Sequence, residues 1–215
     1  MIRTIELEGF APLLEAFVPL KRQAATSGAA DTATRRVALS RLVLAGPDPA
    51  AIADDPEGQG VLDGLCQRWL ALEPELQRQV ALLALPMDSR ENNALIVNAL
   101  QRCSSVVVQN SLREHFGLTA TEAMLKGASV LGTRAAGLRA QIQDSVHGRL
   151  VDDPEDPQQV ASALRDMLDD PDTRSTYGRN ARRRAAEHYV TPRQVRSWLE
   201  LIGALQAKPS PTAIA

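Results

Sequence analysis

Four short, continuously apolar segments recur along this chain, and they limit its fold more than any other feature. They are rich in valine and leucine, and they read RLVLAG (41–46), VALLAL (80–85), SVVVQN (105–110) and SVLGT (129–133). Continuous apolar runs of this length are typical of parallel strands that are covered on both faces. The four segments therefore predict the strands of a buried parallel sheet.

Helical patterns fill the gaps between these predicted strands. The first, at 9–23, places four apolar side chains on one stripe of a helix, namely Phe10, Leu13, Leu14 and Phe17. Further helical patterns lie at 55–72, 91–103, 119–127 and 157–170, and helical sequence continues after residue 171. Because strands alternate with helices, we predict an α/β fold with a doubly wound, Rossmann-like parallel sheet. Such folds bind ligands at the carboxyl ends of their strands.

The same pattern divides the chain into five segments. Residues 1–24 form an incomplete start, with a first strand that is short or missing and then a first helix. The small and polar segment 25–37 is predicted to be a flexible loop, and 38–190 is the main Rossmann-like domain. We predict a C-terminal helix at 191–207 and a disordered tail at 208–215.

Charge and hydropathy exclude several kinds of partner. The 24 basic residues face 26 acidic ones without a long run of either sign, so the formal net charge is −2 and we expect no nucleic-acid partner. The amino terminus lacks the apolar core of a signal peptide, and no stretch approaches the roughly 20 apolar residues that span a bilayer. We therefore expect a cytoplasmic protein with no membrane partner.

Residues that usually hold metal ions are sparse. Cys66 and Cys103 lie too far apart for a structural zinc site or a local CxxC motif. The three histidines, His115, His147 and His188, do not form an HxxxH or HExxH motif. The chain also lacks the GxSxG elbow of hydrolases and the P-loop. We expect neither a metal nor a cofactor.

A strand-to-helix turn after the third apolar run carries two acids and a glycine. In SLREHFGLTATEAMLKG (111–127), Glu114 and Glu122 are separated by seven residues, and Gly117 lies between them. The first N–H groups of the following helix have no intrahelical partners and attract phosphate. Glu114 could accept hydrogen bonds from sugar hydroxyls, and Glu122, about one turn into the helix, could bind a ribose.

Each residue of this turn also has a purely structural interpretation. The segment TATE (119–122) fits a capping box, in which Thr119 is the N-cap and Glu122 stands at the N3 position. Glu114 could equally be a solvated loop acid, and Gly117 could serve backbone geometry alone. The spacing of the residues leaves both interpretations open.

A second glycine turn, TRAAGLRAQI (133–142), follows the next predicted strand and would face the same crevice. In a functional interpretation, Gly137 lets the backbone approach a phosphate or a sugar, and Gln141 offers a polar contact. In a structural interpretation, the segment is a loop that leads into a short helix.

The first turn resembles the E-x7-E signature of glycosyltransferase family 4, whose members are retaining enzymes with the GT-B fold. The matching residues are REHFGLTATEAMLKG (113–127), where the family pattern reads EGFGL, then EAM and a glycine. The similarity extends over about 38–206 and points to the trehalose synthase branch of that family. It is carried further by DDPEG (54–58) and by the segments 85–111, 135–157 and 187–202.

The resemblance implies the C-terminal, nucleotide-sugar-binding half of a GT-B enzyme. Such an enzyme would transfer glucose, with retention, from UDP- or ADP-glucose to a sugar acceptor, without a metal or a cofactor. The leaving diphosphate helps to deprotonate the acceptor in this family. The resemblance implies Glu114 as the catalytic residue and gives these donor-binding residues: Glu114, His115, Phe116, Gly117, Leu118, Thr119, Glu122, Arg3, Pro86, Met87 and Gly137.

Within that set, the resemblance assigns the sugar hydroxyls to Glu114 and the ribose to Glu122, and it places Pro86 and Met87 beside the base. Three features depart from the family. We expect the acceptor domain to be absent from these 215 residues, Glu8 stands where the family pattern has a phosphate-binding lysine, and His115 stands where it has a glycine. These departures leave open a second function, a non-catalytic fragment or relic domain that acts in protein association. Its partner would be a separate acceptor domain or a second copy of the chain.

Overall fold

The computed structural model of the chain describes residues 9–27, 31–52 and 56–206. In these ranges, helices and strands alternate along the sequence. The strands are β1 (Leu42–Pro47), β2 (Val80–Leu85), β3 (Val107–Gln109), β4 (Val130–Thr133) and β5 (Gly148–Val151). The helices are α1 (Phe10–Thr26), α2 (Thr32–Leu39), α3 (Pro56–Leu70), α4 (Pro74–Gln77), α5 (Arg90–Cys103), α6 (Leu118–Leu125), α7 (Ala136–Gln141), α8 (Pro157–Asp169), α9 (Pro171–His188) and α10 (Thr191–Gln206).

All strand pairs in the described part of the chain are parallel. β1 pairs with β2, and β3, β4 and β5 form a second hydrogen-bonded group in that order. The carboxyl ends of the strands within each group therefore lie at one edge. Just past that edge, the backbone N–H of Asp48 donates to the carbonyl of Leu85 at 2.9 Å, which ties the end of β1 to the end of β2.

The two groups of strands contribute to one hydrophobic core, and helices cover both faces of the strands. Leu44, Val108 and Leu131, from three strands, belong to the same buried cluster as residues of α1 and α8. On the opposite face, Val107 and Val130 pack with residues of α6, α7 and α9. Helices on both faces of parallel strands confirm the predicted doubly wound α/β class.

The prediction that every strand is covered on both faces is wrong for β2. Ala81 and Leu83 of this strand are exposed, whereas Val80 and Leu85 are buried. The reason is its position beside β1, because α5 packs over Val43 of β1 and reaches only Leu85, at the end of β2, which leaves Ala81 and Leu83 open. A continuous apolar run therefore also occurs in a strand with one open face.

The prediction of a flexible loop at 25–37 is also wrong for the part that is described. α1 continues to Thr26, and α2 begins at Thr32. Asp31 caps α2, since its carboxylate accepts from the backbone N–H of Thr34 at 2.7 Å. The sequence did not predict this helix, because its residues are mostly small or polar and Val37 is the only one that is fully buried.

Lys21 of α1 holds the carboxyl end of α2. Its ammonium donates to the backbone carbonyls of Val37, Ala38 and Ser40, and the residue is only 4% exposed. Burial, with the nearby charge of Arg41, lowers the pKa of Lys21 to about 8. A cation at the end of a helix also offsets the partial negative charge of its terminal carbonyls.

β5 was not predicted. It has four residues and begins at Gly148, whose φ of +151° suits glycine alone. A β-carbon at Gly148 would lie 2.1 Å from the carbonyl oxygen of Val130, so glycine also permits the close approach of β4. The run RLV is too short to give a strand signal by itself.

α10 lies apart from the rest of the fold. All of its residues, Thr191 to Gln206, are exposed, and its neighbour in the described structure is α9. No helix in the described ranges is long and apolar enough to cross a membrane. Arg3, Glu8 and any short first strand in the predicted incomplete start lie outside the described residues, as does the predicted tail at 208–215.

Candidate functional site

The candidate site begins where α6 starts. Gly117 precedes α6 in the left-handed conformation, with φ 82° and ψ 60°, and no side chain caps the helix. The backbone N–H of Thr121 donates to the carbonyl of Gly117 at 3.1 Å, so α6 begins two residues earlier than the capping-box interpretation requires. Thr119 lies inside the helix and is only 8% exposed. The capping-box interpretation of Glu122 is therefore wrong.

Gly117 is needed for both its backbone angles and its packing. Its positive φ disfavours any side chain, and an added β-carbon would lie 2.7 Å from Cδ2 of Leu138. Leu138, in α7, is completely buried against α6. The turn before α6 therefore rests directly on α7.

Gly137 brings the second glycine turn against the first. A β-carbon there would lie 2.5 Å from the carbonyl carbon of His115 and 2.5 Å from the amide nitrogen of Phe116. The backbone N–H of Gly137 donates to the carbonyl of Glu114 at 2.8 Å. The two turns, predicted from separate motifs, are thus in backbone contact.

The carboxylate of Glu114 is held at both oxygens. Oε2 accepts from Nε2 of Gln109 at 3.1 Å, and Oε1 accepts from the backbone N–H of Phe116 at 3.3 Å. Gln109 is only 2% exposed and also donates to Oγ of Ser111 at 2.8 Å. Glu114 is therefore oriented from the end of β3 and is not a freely solvated loop acid.

A second set of buried polar side chains fixes the rest of the turn. Gln141 of α7 donates through Nε2 to the carbonyl of Phe116 and accepts from the hydroxyl of Thr121 at 2.9 Å. The hydroxyl of Thr133, at the end of β4, donates to the carbonyl of Ser111 at 2.7 Å. Contacts from β3, β4 and α7 thus hold one loop, which is expected to lower its freedom before any ligand binds.

The outer surface of the turn is apolar and open. Phe116 is 44% exposed and Leu118 66%, and His115 is exposed as well. The ring of Phe116 meets the ring of Tyr189 edge to face, with the two ring centres 6.0 Å apart. Tyr189 in turn donates its hydroxyl to the carbonyl of Ala140 at 2.9 Å, so the ring that contacts Phe116 is itself held in place.

Glu122 lies in a cleft between α5 and α6. The cleft encloses about 550 Å³ and is lined by Met87, Arg90, Asn93, Ala94, Val97, Glu122 and Lys126. Within the described part of the chain, the carboxylate of Glu122 has no hydrogen-bond partner, and its charge interacts with that of Lys126. Burial lowers the pKa of Lys126, and the charge of Glu122 opposes that shift.

The segment that follows β2 forms the far wall of this cleft. The side-chain amide of Asn93, which is 9% exposed, donates to the carbonyl of Pro86 at 3.0 Å and contacts the sulfur of Met87 at 3.4 Å. Met87 itself is 39% exposed. Its flexible, polarisable side chain therefore lines the open cleft.

The structure brings most of the predicted donor-binding residues together in two adjoining places. Glu114, Phe116, Gly117 and Gly137 form the double turn, whereas Met87 and Glu122 share the cleft. Glu114 does not line that cleft. Thr119 contributes its backbone, and its carbonyl accepts from the amide of Gln101 at 3.3 Å. Arg3 lies outside the described residues.

Sequence reasoning missed several residues of the site. Arg90, Asn93 and Lys126 line the cleft, and Gln109 orients Glu114. The position of Gln109 immediately after an apolar run was the one available signal, since polar residues at strand ends face ligand crevices. The cleft-lining residues come from two helices whose proximity the sequence does not reveal.

The chemistry of this arrangement suits an anion next to hydroxyl groups. The backbone N–H groups of Leu118, Thr119 and Ala120 precede the first hydrogen bond inside α6, and the positive end of the helix dipole lies there. Two carboxylates flank this helix start, and each can accept hydrogen bonds from hydroxyls. No cluster of three or more metal-ligating side chains was found among the described residues.

Known proteins share this arrangement of strands and helices. The structure of HepE from Anabaena in complex with UDP superimposes with a TM-score of 0.70 at 18% identity, over 94% of this chain and 48% of that one. The structure of the same protein with UDP-glucose gives a TM-score of 0.66. The C-terminal domain of a glycosyl transferase group 1 family protein (LpcC) from Francisella tularensis gives 0.63 at 22% identity, over 89% of this chain and 84% of that one.

These likenesses establish the fold as the C-terminal half of a GT-B protein. At the level of sequence, the family model for glycosyl transferases group 1 matches residues 77–184, and the chain belongs to that family. Trehalose synthase from Pyrococcus horikoshii is 31% identical over 159 residues, which are 71% of this chain and 34% of that protein. The chain thus spans about a third of the length of the curated relatives it matches.

Proposed function

We propose that this chain is the donor-binding half of a retaining glucosyltransferase that transfers glucose from UDP- or ADP-glucose to a sugar acceptor. One observation carries the proposal. Because Gly117 precedes α6 as its N-cap, Glu122 has no capping role, and its carboxylate lies in the cleft beside Met87. A ribose held by Glu122 and a base against Met87 would leave the diphosphate at the start of α6.

In this proposal, the chain stabilises the leaving diphosphate and orients the sugar. The three N–H groups at the start of α6 would donate to the diphosphate, where negative charge grows as the glycosidic bond breaks. Glu114, fixed by Gln109 and by the N–H of Phe116, would accept from the glucose hydroxyls. No residue would act as a covalent nucleophile, and the leaving diphosphate would help to deprotonate the acceptor.

Calorimetric titration with UDP and with UDP-glucose tests the two glutamates separately. We expect Glu122→Gln to weaken both ligands about tenfold, because it removes a charged acceptor from the ribose. We expect Glu114→Gln to weaken UDP-glucose by a similar factor and to leave UDP unchanged, because only the sugar reaches Glu114. ADP and ADP-glucose, titrated in parallel, identify the base.

A matched control is Glu155→Gln, which removes the same charge at an exposed loop position and should change neither affinity. If neither UDP nor ADP gives saturable heat at millimolar concentration, the donor site does not exist. If Glu122→Gln lowers the free energy of unfolding but keeps the affinity for nucleotide, Glu122 has a structural role.

A second candidate function, protein association, is favoured by α10. Six apolar side chains of this helix are about half or more exposed, namely Val195, Trp198, Leu199, Leu201, Ile202 and Leu205. A face of this width is typical of a helix that packs on a larger body. We propose that it docks on a separate acceptor-binding domain or on a second copy of the chain.

Sedimentation analysis of the chain alone distinguishes these two partners. If the partner is a second copy, we expect a dimer that Trp198→Glu converts to a monomer, because a charge cannot be buried in an apolar contact without a large cost. The control Glu200→Gln, on the same helix, should leave the dimer intact. A wild-type monomer at high concentration would exclude self-association and leave the acceptor-binding domain as the partner.

A further inference from the structure

A second cavity lies at the opposite edge of the sheet from the candidate donor site. It encloses about 310 Å³, at the lower end of the size range of small-molecule sites. Ser105 and Ser129, which come just before β3 and β4, line it, as does Ser175 of α9. We call it the amino-edge cavity, because the amino ends of the strands form its floor.

Three basic side chains surround this cavity. Arg102 lies in the last turn of α5, Lys126 follows α6, and Arg174 stands in the first part of α9. None of the lining residues in the described part of the chain is acidic. The carboxyl ends of α5 and α6 contribute about half a negative charge each, and the start of α9 contributes about half a positive charge. The lining therefore carries a net positive charge, although Glu122 in the neighbouring cleft partly offsets the charge of Lys126.

One buried polar group beside these cations lacks a hydrogen-bond partner within the described structure. Ser129 is 3% exposed, and its hydroxyl has no hydrogen-bond partner in the described structure. Burial lowers the pKa of Lys126, the charge of Glu122 opposes that shift, and Arg102 lowers the pKa further, because the positive charges of Arg102 and Lys126 repel each other. An anion between these side chains would relieve that repulsion.

We propose that the amino-edge cavity binds a compact phosphate dianion, either free phosphate or the phosphate group of a small sugar phosphate. Arg102 and Lys126 would neutralise the charge of the phosphate. Arg174 already donates to the carbonyls of Met167 and Leu168, and its remaining N–H groups would donate to the phosphate from α9. The serine hydroxyls would donate to the remaining oxygens. The inference does not rest on donor binding at the other edge.

Titration with inorganic phosphate and with glucose 6-phosphate, at constant ionic strength, tests this site. We expect saturable binding to one site, weakened about tenfold by Arg102→Gln, which corresponds to about 1.4 kcal/mol. Ser175→Glu, which places an acid in the cavity, should abolish binding. The control Arg35→Gln removes an exposed charge from α2 and should have no effect. Tighter binding of glucose 6-phosphate than of phosphate would identify the sugar phosphate, and equal affinity would identify the free anion.

Competition with UDP separates this cavity from the start of α6. We expect phosphate to bind with unchanged affinity at saturating UDP, and Ser175→Glu to retain its circular dichroism spectrum. The proposal is overturned if phosphate gives no saturable heat. It is also overturned if UDP displaces the phosphate, or if Arg102→Gln and Ser175→Glu bind it as tightly as Arg35→Gln does.

Discussion

Gly137→Ala is expected to lower the free energy of unfolding by about 2 kcal/mol and to remove measurable binding of UDP-glucose. The new methyl group would lie 2.5 Å from two backbone atoms of the first turn, the carbonyl carbon of His115 and the amide nitrogen of Phe116. Backbone cannot move aside as a flexible side chain can, so the two turns must separate. Separation breaks the bond from Gly137 to Glu114 and shifts the start of α6.

Urea unfolding followed by circular dichroism measures the first effect, and calorimetry measures the second. The matched control is Gly60→Ala in α3, where an added β-carbon meets no atom within 4 Å. Alanine should there raise the free energy of unfolding by roughly 0.5–1 kcal/mol, because glycine weakens a helix interior. Equal stability of Gly137→Ala and the wild type would mean that the turns do not touch in solution.

Asn110→Asp is expected to have the larger effect on stability, about 4 kcal/mol at neutral pH. Asn110 is 1% exposed, and its side-chain amide donates to the carbonyls of Gly9 at 3.1 Å and of Pro154 at 3.0 Å. Aspartate has the same shape but replaces the donor with a buried charge that faces two carbonyl oxygens. Both the lost hydrogen bonds and the desolvation of the charge favour unfolding.

The pH dependence of this variant identifies the cause. Burial raises the pKa of the new carboxyl in the folded state above its unfolded value of about 3.9, so the folded state binds the proton more tightly. Stability is therefore retained at pH values below about 4 and is lost as the pH rises. The difference from the wild type should shrink in acid, as measured by urea unfolding across that range.

Asn98→Asp is the matched control for the same chemical change. Its Oδ1 already accepts from the guanidinium of Arg102 at 3.2 Å on the surface of α5, so a charge there should change stability by less than about 1 kcal/mol. Asn110 follows β3, and its two hydrogen bonds would connect this strand end to the start of α1 and to the loop after β5. If Asn110→Asp unfolds at the same urea concentration as the wild type, these connections do not contribute to stability.

Local sequence patterns predicted the elements that depend on burial alone. The four apolar runs became β1 to β4, and the stripe that begins at Phe10 became α1. α2 was missed because its helical signal comes from a cap at Asp31 and from the contacts of Lys21, which joins α2 from a distant turn of α1. β5 was missed because it depends on its pairing with β4.

The candidate site shows the same division between local and long-range information. The resemblance named Glu114, Glu122 and Gly137, but spacing alone could not decide whether Glu122 caps the helix. That question depends on the left-handed backbone of Gly117, and the contact with Leu138 of α7 fixes this conformation. Arg90 and Lys126 belong to the cleft only because α5 and α6 lie side by side.

The exposure of helix α10 limits the affinity of the chain for a protein that docks on this helix. A helix of 16 residues is marginally stable in water unless its apolar face is buried, and every residue of α10 is exposed. Before docking, α10 is thus expected to exchange between helical and frayed forms, and docking must order it. That ordering costs free energy at the moment of contact, so the association should be weaker than the apolar area suggests and should weaken further with rising temperature.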